Sequence, residues 1–289
     1  MMKIATQTSY LGQLLGDVEA IKLLAKVGYG GIDYSMFYMD DEACPLHGKN
    51  YMNHVKKIKE TAELCGIPFT QGHSFFPHYV FDNELLSKEY YNYALRSLEI
   101  ASYLGIKIIT MHPVSFPTDA FERNMEIFST FIPYCKELNV KISIENVIKS
   151  KNFENCCSPE DLNKYVDTLN KQGENFVALV DVGHAEYSGY KADEFIRGVG
   201  GKRLKGLHIQ DSDGVRDLHQ LPFTQKFDWN AITKALADVN YSGDFTFEAD
   251  KFLRLFPAEM VEDASRFMLK VGEQLVRMIE SHKAASKTL

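Results

Sequence analysis

The chain has no CxxC or C-x-x-C-H spacing, no long apolar run and no excess of positive charge, and each absence closes off a class of protein. Its five cysteines, Cys44, Cys65, Cys135, Cys156 and Cys157, are an odd number in a long chain, which points to reduced thiols rather than a disulfide framework. The adjacent pair Cys156 and Cys157 is expected to pack in a loop. No apolar stretch approaches the roughly 18 residues of a membrane helix, and the start MMKIATQTSYLGQ lacks the apolar core of a secretory signal. A cytoplasmic protein without a membrane partner is therefore expected. Lys and Arg number 32 against 39 Asp and Glu, and a net charge of −7 has the wrong sign for neutralising nucleic-acid phosphates or anionic lipid. Small-molecule partners are favoured over nucleic acid. The nine prolines are scattered, so no linker divides the chain.

What remains is an ordinary globular composition, 45% hydrophobic and 25% charged over 289 residues, able to bury a large core without staples. A length prior would suggest about two domains, but α/β barrels run to roughly 200–250 residues or more as one unit. Short apolar runs recur along the chain, each followed by a longer amphipathic stretch. The runs predict strands at 3–7, 31–35, 68–73, 107–112, 141–146, 177–181, 204–209 and 244–249. Helical patterns lie at 17–27, 51–65, 86–104, 118–138, 159–171, 192–198, 228–239 and 258–283. Ser158-Pro159-Glu160-Asp161 is a helix start, and GYGG (28–31) and YSGD (241–244) punctuate strand entries. Eight alternating units predict one (β/α)8 TIM barrel over 1–289. An open doubly wound sheet is the alternative, but QTSYLGQLLG after the first strand carries no GxGxxG fingerprint.

Barrel active sites are built at the C-terminal strand ends, which here read Asp33, His73, His112, Glu145, Asp181, His208 and Glu248. Singly, each has a bland explanation: a hydrogen-bonded core histidine, a strand cap, an Asp181 that caps a helical turn. Together, so many titratable groups in one place call for a cation. Carboxylates with one imidazole suit Mn, Mg or Co, whereas a His-rich shell suits Zn. Glu145, Asp181, His208 and Glu248, from four consecutive strands, form the expected metal set.

The motifs ISIENV (142–147), DVGHAEYSG (181–189), LHIQDSDG (207–214) with DLHQLP (217–222), and FTFEAD (245–250) resemble the xylose isomerase-like TIM barrels. That superfamily includes tagatose/psicose 3-epimerases, inosose-handling enzymes and, more distantly, type IV apurinic endonucleases. The resemblance implies Glu145, Asp181, His208 and Glu248 on one divalent metal, with Glu145 and Glu248 also as the acid/base pair on opposite faces of a carbohydrate substrate. Abstraction of a proton beside a carbonyl needs a base within about 3 Å and an electrophile for the developing enediolate charge. His184, in the D-x-x-H, resembles a substrate-binding histidine. Relatives are commonly dimers or tetramers, which leaves a homo-oligomer open.

Phe75, Phe76 and Tyr79 are either sugar-stacking aromatics, or core or a subunit contact, and Trp229 is expected to pack. The better-known epimerases carry a glutamate and an arginine where this chain has Lys151 and Gly214; Arg216 is near enough to substitute. FTQKFDW (223–229) replaces a glycine-rich turn, which favours an unphosphorylated sugar. The rivals are a polyol (inosose-type) dehydratase, a non-catalytic sugar-binding relative, and an endonuclease whose three-zinc site is matchable by His73, His112, His184, Asp217 and His219 added to the primary set. Against the endonuclease stand the net charge and the lack of basic recognition loops.

Overall fold

The computed structural model describes residues 2–150 and 153–286. Eight strands form one parallel sheet: β1 (Ile4–Gln7), β2 (Gly31–Ser35), β3 (Phe69–His73), β4 (Ile108–Met111), β5 (Lys141–Glu145), β6 (Phe176–Asp181), β7 (Leu204–His208) and β8 (Phe245–Phe247). Each strand pairs with the next in sequence, and β8 returns to β1. Between β7 and β8 the sheet closes through one bridge, in which Ile209 N–H donates to Thr246 O (2.9 Å) and Glu248 N–H donates to Ile209 O (3.0 Å). The eight predicted strands thus form the predicted barrel.

Outside it run α1 (Ser9–Leu15), α2 (Asp17–Val27), α3 (Tyr51–Cys65), α4 (Glu84–Leu104), α5 (Ala120–Thr130), α6 (Ile132–Leu138), α7 (Pro159–Leu169), α8 (Val182–Tyr187), α9 (Ala192–Val199), α10 (Trp229–Asp238), α11 (Asp250–Leu253) and α12 (Val261–Ser286). In α9 the buried residues Ala192, Phe195, Ile196 and Val199 make one apolar stripe, as helical spacing requires. In α7, Ser158 accepts from Asp161 N–H (3.1 Å) and Pro159 opens the helix, where its missing N–H costs nothing. The helix expected over 118–138 is two helices, because Pro133, near the start of α6, has no N–H to continue the ladder of α5. Three short helices, α1, α8 and α11, are additional to the sequence expectation. Each is too short to show a helical period.

Strand alternation separates two environments. Ile142, Ile144, Ala178, Val180 and Leu207 join the core shared with helix residues such as Leu162, Val166, Phe195 and Ile196. Residues at the intervening positions, Ser143, Glu145, Asp181 and His208, are buried and polar. Hydrogen bonds cross between strands at these positions, as from Gln71 to Asp33 and between Thr110 and Ser143.

Candidate active site

Strand register does most of the positioning. Asp181 and His208 end β6 and β7 as direct register partners, and Glu145 ends β5 opposite Leu179. Glu248 follows β8 at the closing bridge. One donor atom from each of Glu145, Asp181, His208 and Glu248 lies within 4.8 Å of all the others. All four residues are buried.

His208 is the hub. Its Nδ1 lies 3.1 Å from Glu145 Oε1 and 3.2 Å from Glu248 Oε2. Its Nε2 lies 3.3 Å from Asp33 Oδ2, which also accepts from Gln71 Nε2 at 2.9 Å. With Nε2–H given to Asp33, Nδ1 is left facing the two glutamates. Glu145 gathers further histidines: its Oε2 is 2.9 Å from His112 Nε2 and 3.8 Å from His73 Nε2, and its Oε1 is 3.5 Å from His184 Nδ1.

Asp181 has the double role that its position suggests. Its Oδ1 caps α8 by accepting His184 N–H at 2.7 Å, so the spacing D-x-x-H is also a helix start. Gln210 donates to both Asp181 oxygens (3.2 Å each) and to Asp217 Oδ1 (3.2 Å). A Cβ at Gly183 would overlap the Gln210 amide, so glycine there lets α8 sit against it. Asn146 clasps the Asp181 backbone, donating to its O at 3.0 Å and accepting from its N–H at 2.8 Å. Beyond this, His219 Nε2 meets Asp217 Oδ2 at 2.8 Å and Nδ1 meets the Glu248 carbonyl at 2.9 Å.

The electrostatics follow from burial and pairing. Burial alone would push the Glu145 and Glu248 carboxyls up, but His208, with His112 beside Glu145 and His219 beside Glu248, holds both well below the usual range. Burial pushes Asp181 up to about 6. It pushes His73 down to about 4, with His112 adding to the effect. His208 is raised well above its ordinary value because Glu248 and Glu145 outweigh its burial, and His219 reaches about 10 through Asp217 and Glu248 against its own burial. Buried Asp33 Oδ1 has no hydrogen-bond donor, and Glu145 Oε2 and Glu248 Oε2 meet imidazole nitrogens, His112 Nε2 and His208 Nδ1, without a well-aligned hydrogen bond. Oxygen-rich, converging, under-satisfied donors of this kind fit a divalent cation.

Over this cluster opens a cavity of about 410 Å³ lined by Phe37, Phe76, Val147, Ile148, His184 and Glu248, among others. The structure brings Glu145, Asp181, His208 and Glu248 together at one mouth, with His73–His112–Glu145 and His184–Asp217–His219 as further groups of metal-ligand geometry. The aromatic segment divides. Phe75 is buried against Tyr90 and Tyr93, whereas Phe76 stands over His112 with ring centroids 4.6 Å apart. Tyr79 packs on Phe116 away from the cluster. Trp229 packs as expected, its Nε1 donating to Asp211 at 3.0 Å. Arg216 is spent on an exposed pair with Asp213 (2.7 Å) and does not line the cavity. Lys151 lies outside the described residues.

The sequence marks Asp33 as one of the strand-end groups without assigning it a partner, and gives no role to Gln71, Asn146, Gln210 or Phe37. The signal for Gln71 and Gln210 was their i±2 spacing from His73 and His208, which puts them on the same strand face.

Eight parallel strands with buried acid and imidazole groups at their C-terminal ends define an α/β-barrel with a pocket at the usual barrel face. A family model described as Xylose isomerase-like TIM barrel matches residues 21–271, and the chain belongs to that family. An uncharacterized protein, y4fM, of Sinorhizobium fredii is 29% identical over 236 residues, covering 75% of this chain and 70% of its own. The chain is similar in fold to a D-tagatose 3-epimerase-like protein (TM-score 0.75, 17% identity, 97% of this chain and 99% of the other). A D-psicose 3-epimerase crystallised in the presence of D-fructose gives a TM-score of 0.74 at 17% identity, covering 95% and 99%. The IolI protein with a binding zinc atom gives 0.72 at 17% identity, covering 97% and 99%.

Proposed function

We propose that residues 1–289 act as one barrel that moves a proton on a carbon beside the carbonyl of a sugar, in an isomerase or epimerase reaction. The observation that carries this reading is the pair of buried glutamates, Glu145 and Glu248, meeting at His208 under the open cavity. Glu145, Asp181, His208 and Glu248 are the residues that would hold a divalent cation. Such a cation supplies a Lewis acid that stabilises negative charge developing on substrate oxygens. Mn, Mg or Co suits these donors, and the zinc of IolI keeps Zn in contention.

The chain's own residues supply the rest. The imidazoles hold Glu145 and Glu248 as carboxylates, the form a base needs. One carboxylate removes the proton from one face of the carbon and becomes the acid; the other, protonated from solvent, delivers its proton to the opposite face, and exchange with solvent resets the pair. His184, at the cavity wall with its Nδ1 at the Asn146 carbonyl (2.9 Å), presents its Nε2 to substrate oxygens. Phe37 and Phe76 cover the reacting carbon from water. The similarity in fold to tagatose and psicose epimerases supports a carbohydrate substrate.

A second reading has one observation in its favour: His73–His112–Glu145 and His184–Asp217–His219 could hold further cations, as phosphodiester cleavage on three zincs requires. The net charge of −7 opposes nucleic-acid binding. The deciding experiment incubates metal-loaded protein with a ketose panel in D2O. Deuterium entering a carbon beside the carbonyl is expected, and no exchange into any sugar would overturn the proposal.

A further inference from the structure

Phe37 has cavities on both sides. Behind it lies a second cavity of about 480 Å³, formed by α1, the start of α2, the end of β2 and the loop that follows. Both it and the 410 Å³ catalytic cavity are of ligand size, roughly 300–1,000 Å³. Its lining sets groups that bind hydroxyls, among them Ser9, Gln13, Asp17 and Asp41, in a mainly apolar wall that includes Met36 and Leu46. None of them takes part in the proton transfer.

Asp17 is the oriented member. Its Oδ2 accepts from Tyr34 Oη–H at 2.7 Å and from His54 Nε2 at 2.8 Å, which fixes the carboxylate plane and leaves Oδ1 for another donor. A Cβ at position 12 would stand 2.6 Å from Oδ1, so Gly12 keeps that oxygen uncrowded. A held carboxylate with one saturated oxygen and no partner on the other among the described residues, in a ligand-sized cavity whose remaining wall is largely apolar and shared at Phe37 with the catalytic one, is suited to the hydroxyls and the C–H face of a sugar ring.

We propose that the cavity behind Phe37 is a subsite for a second, hydroxyl-rich unit joined to the one that reacts. The substrate is then a glycoside of disaccharide size rather than a free monosaccharide. This inference rests on the reading of the catalytic cavity as a sugar site. A third cavity, of about 360 Å³, flanks the site through Phe76 and Val147, but Tyr79, Phe81 and Pro113 make it a seat for an alkyl or aryl group instead.

The test measures solvent-deuterium exchange by the metal-loaded full chain. Fructose, psicose, tagatose and sorbose are compared with maltulose, lactulose, isomaltulose, 3-keto-glucosides of glucose, and their methyl and phenyl counterparts. At least one disaccharide is expected to exceed its parent ketose in kcat/KM by about tenfold or more, the worth of one charge-assisted hydrogen bond. Asp17→Asn, and Gln13→Trp as a cavity-filling change at an exposed position, are each expected to cut that disaccharide-to-ketose ratio by about tenfold, mainly through KM. Equal rates for ketoses and disaccharides, a ratio unmoved by both variants, or a preference confined to phenyl glycosides would overturn the subsite and leave the sugar reading standing. No exchange into any compound would remove both.

Discussion

Charged groups occupy both ends of this barrel, and they are built differently. At the N-terminal end, Arg203 and Asp167 form a bidentate pair (2.8 and 2.7 Å) that is partly open to water. Those two charges are each other's partner. At the C-terminal end, Glu145 is fully buried and shared among His73, His112, His184 and His208, while His208 is shared in turn by Glu145, Glu248 and Asp33. An exposed pair tolerates the loss of a member because water takes its place. A buried, shared set with under-satisfied oxygens does not, and it has the organisation expected of groups arranged around a ligand.

Substitutions at the two ends should separate them widely. The largest effect is expected for Glu248→Gln, which keeps the shape and removes the base: deuterium exchange should fall by about 10²–10⁴-fold. Retention of full exchange would remove Glu248 from the chemistry. Asp33→Asn should act at one remove. It leaves the four donors intact but loosens the hold on His208 Nε2, and Mn affinity, read by competition with a fluorescent chelator, should weaken by about 10–100-fold. An unchanged affinity would make Asp33 a bystander.

The smallest effect belongs to the other end. Asp167→Asn should lower stability by under ~1 kcal/mol in a denaturant titration and leave exchange and metal affinity unchanged. Arg203 holds the Asp167 carboxyl below its ordinary value, so this contribution is present above that value. It is lost as pH falls through the depressed one. A large loss, or one appearing only at alkaline pH, would blur the distinction between the two ends.

Much of the fold was legible because strands buried on both sides read as continuous apolar runs; FVALVD in β6 is buried throughout. The candidate ligands were legible for the same reason, each being the ionisable residue that ends such a run. What escaped the sequence was long-range pairing. Asp33 and Gln71 matter only because β2 and β3 lie across the lumen from β7, a distance of 175 residues in sequence between Asp33 and His208. The helix α8 was hidden in the metal motif itself, since an aspartate that caps a helix and one that binds a cation look alike in sequence. Arg216 illustrates the converse: its spacing allowed a role in the site, and a nearer partner, Asp213, takes it instead.

The central claim is that Glu145, Asp181, His208 and Glu248 together hold one divalent cation. Its most direct test is elemental analysis combined with a metal titration of wild type and Asp181→Ala. About one Mn, Mg, Co or Zn per wild-type chain is expected, as one four-donor site would hold, with affinity weakened by several orders of magnitude in the variant. A wild-type chain that binds none of these metals, or a variant that binds as tightly as wild type, would contradict it.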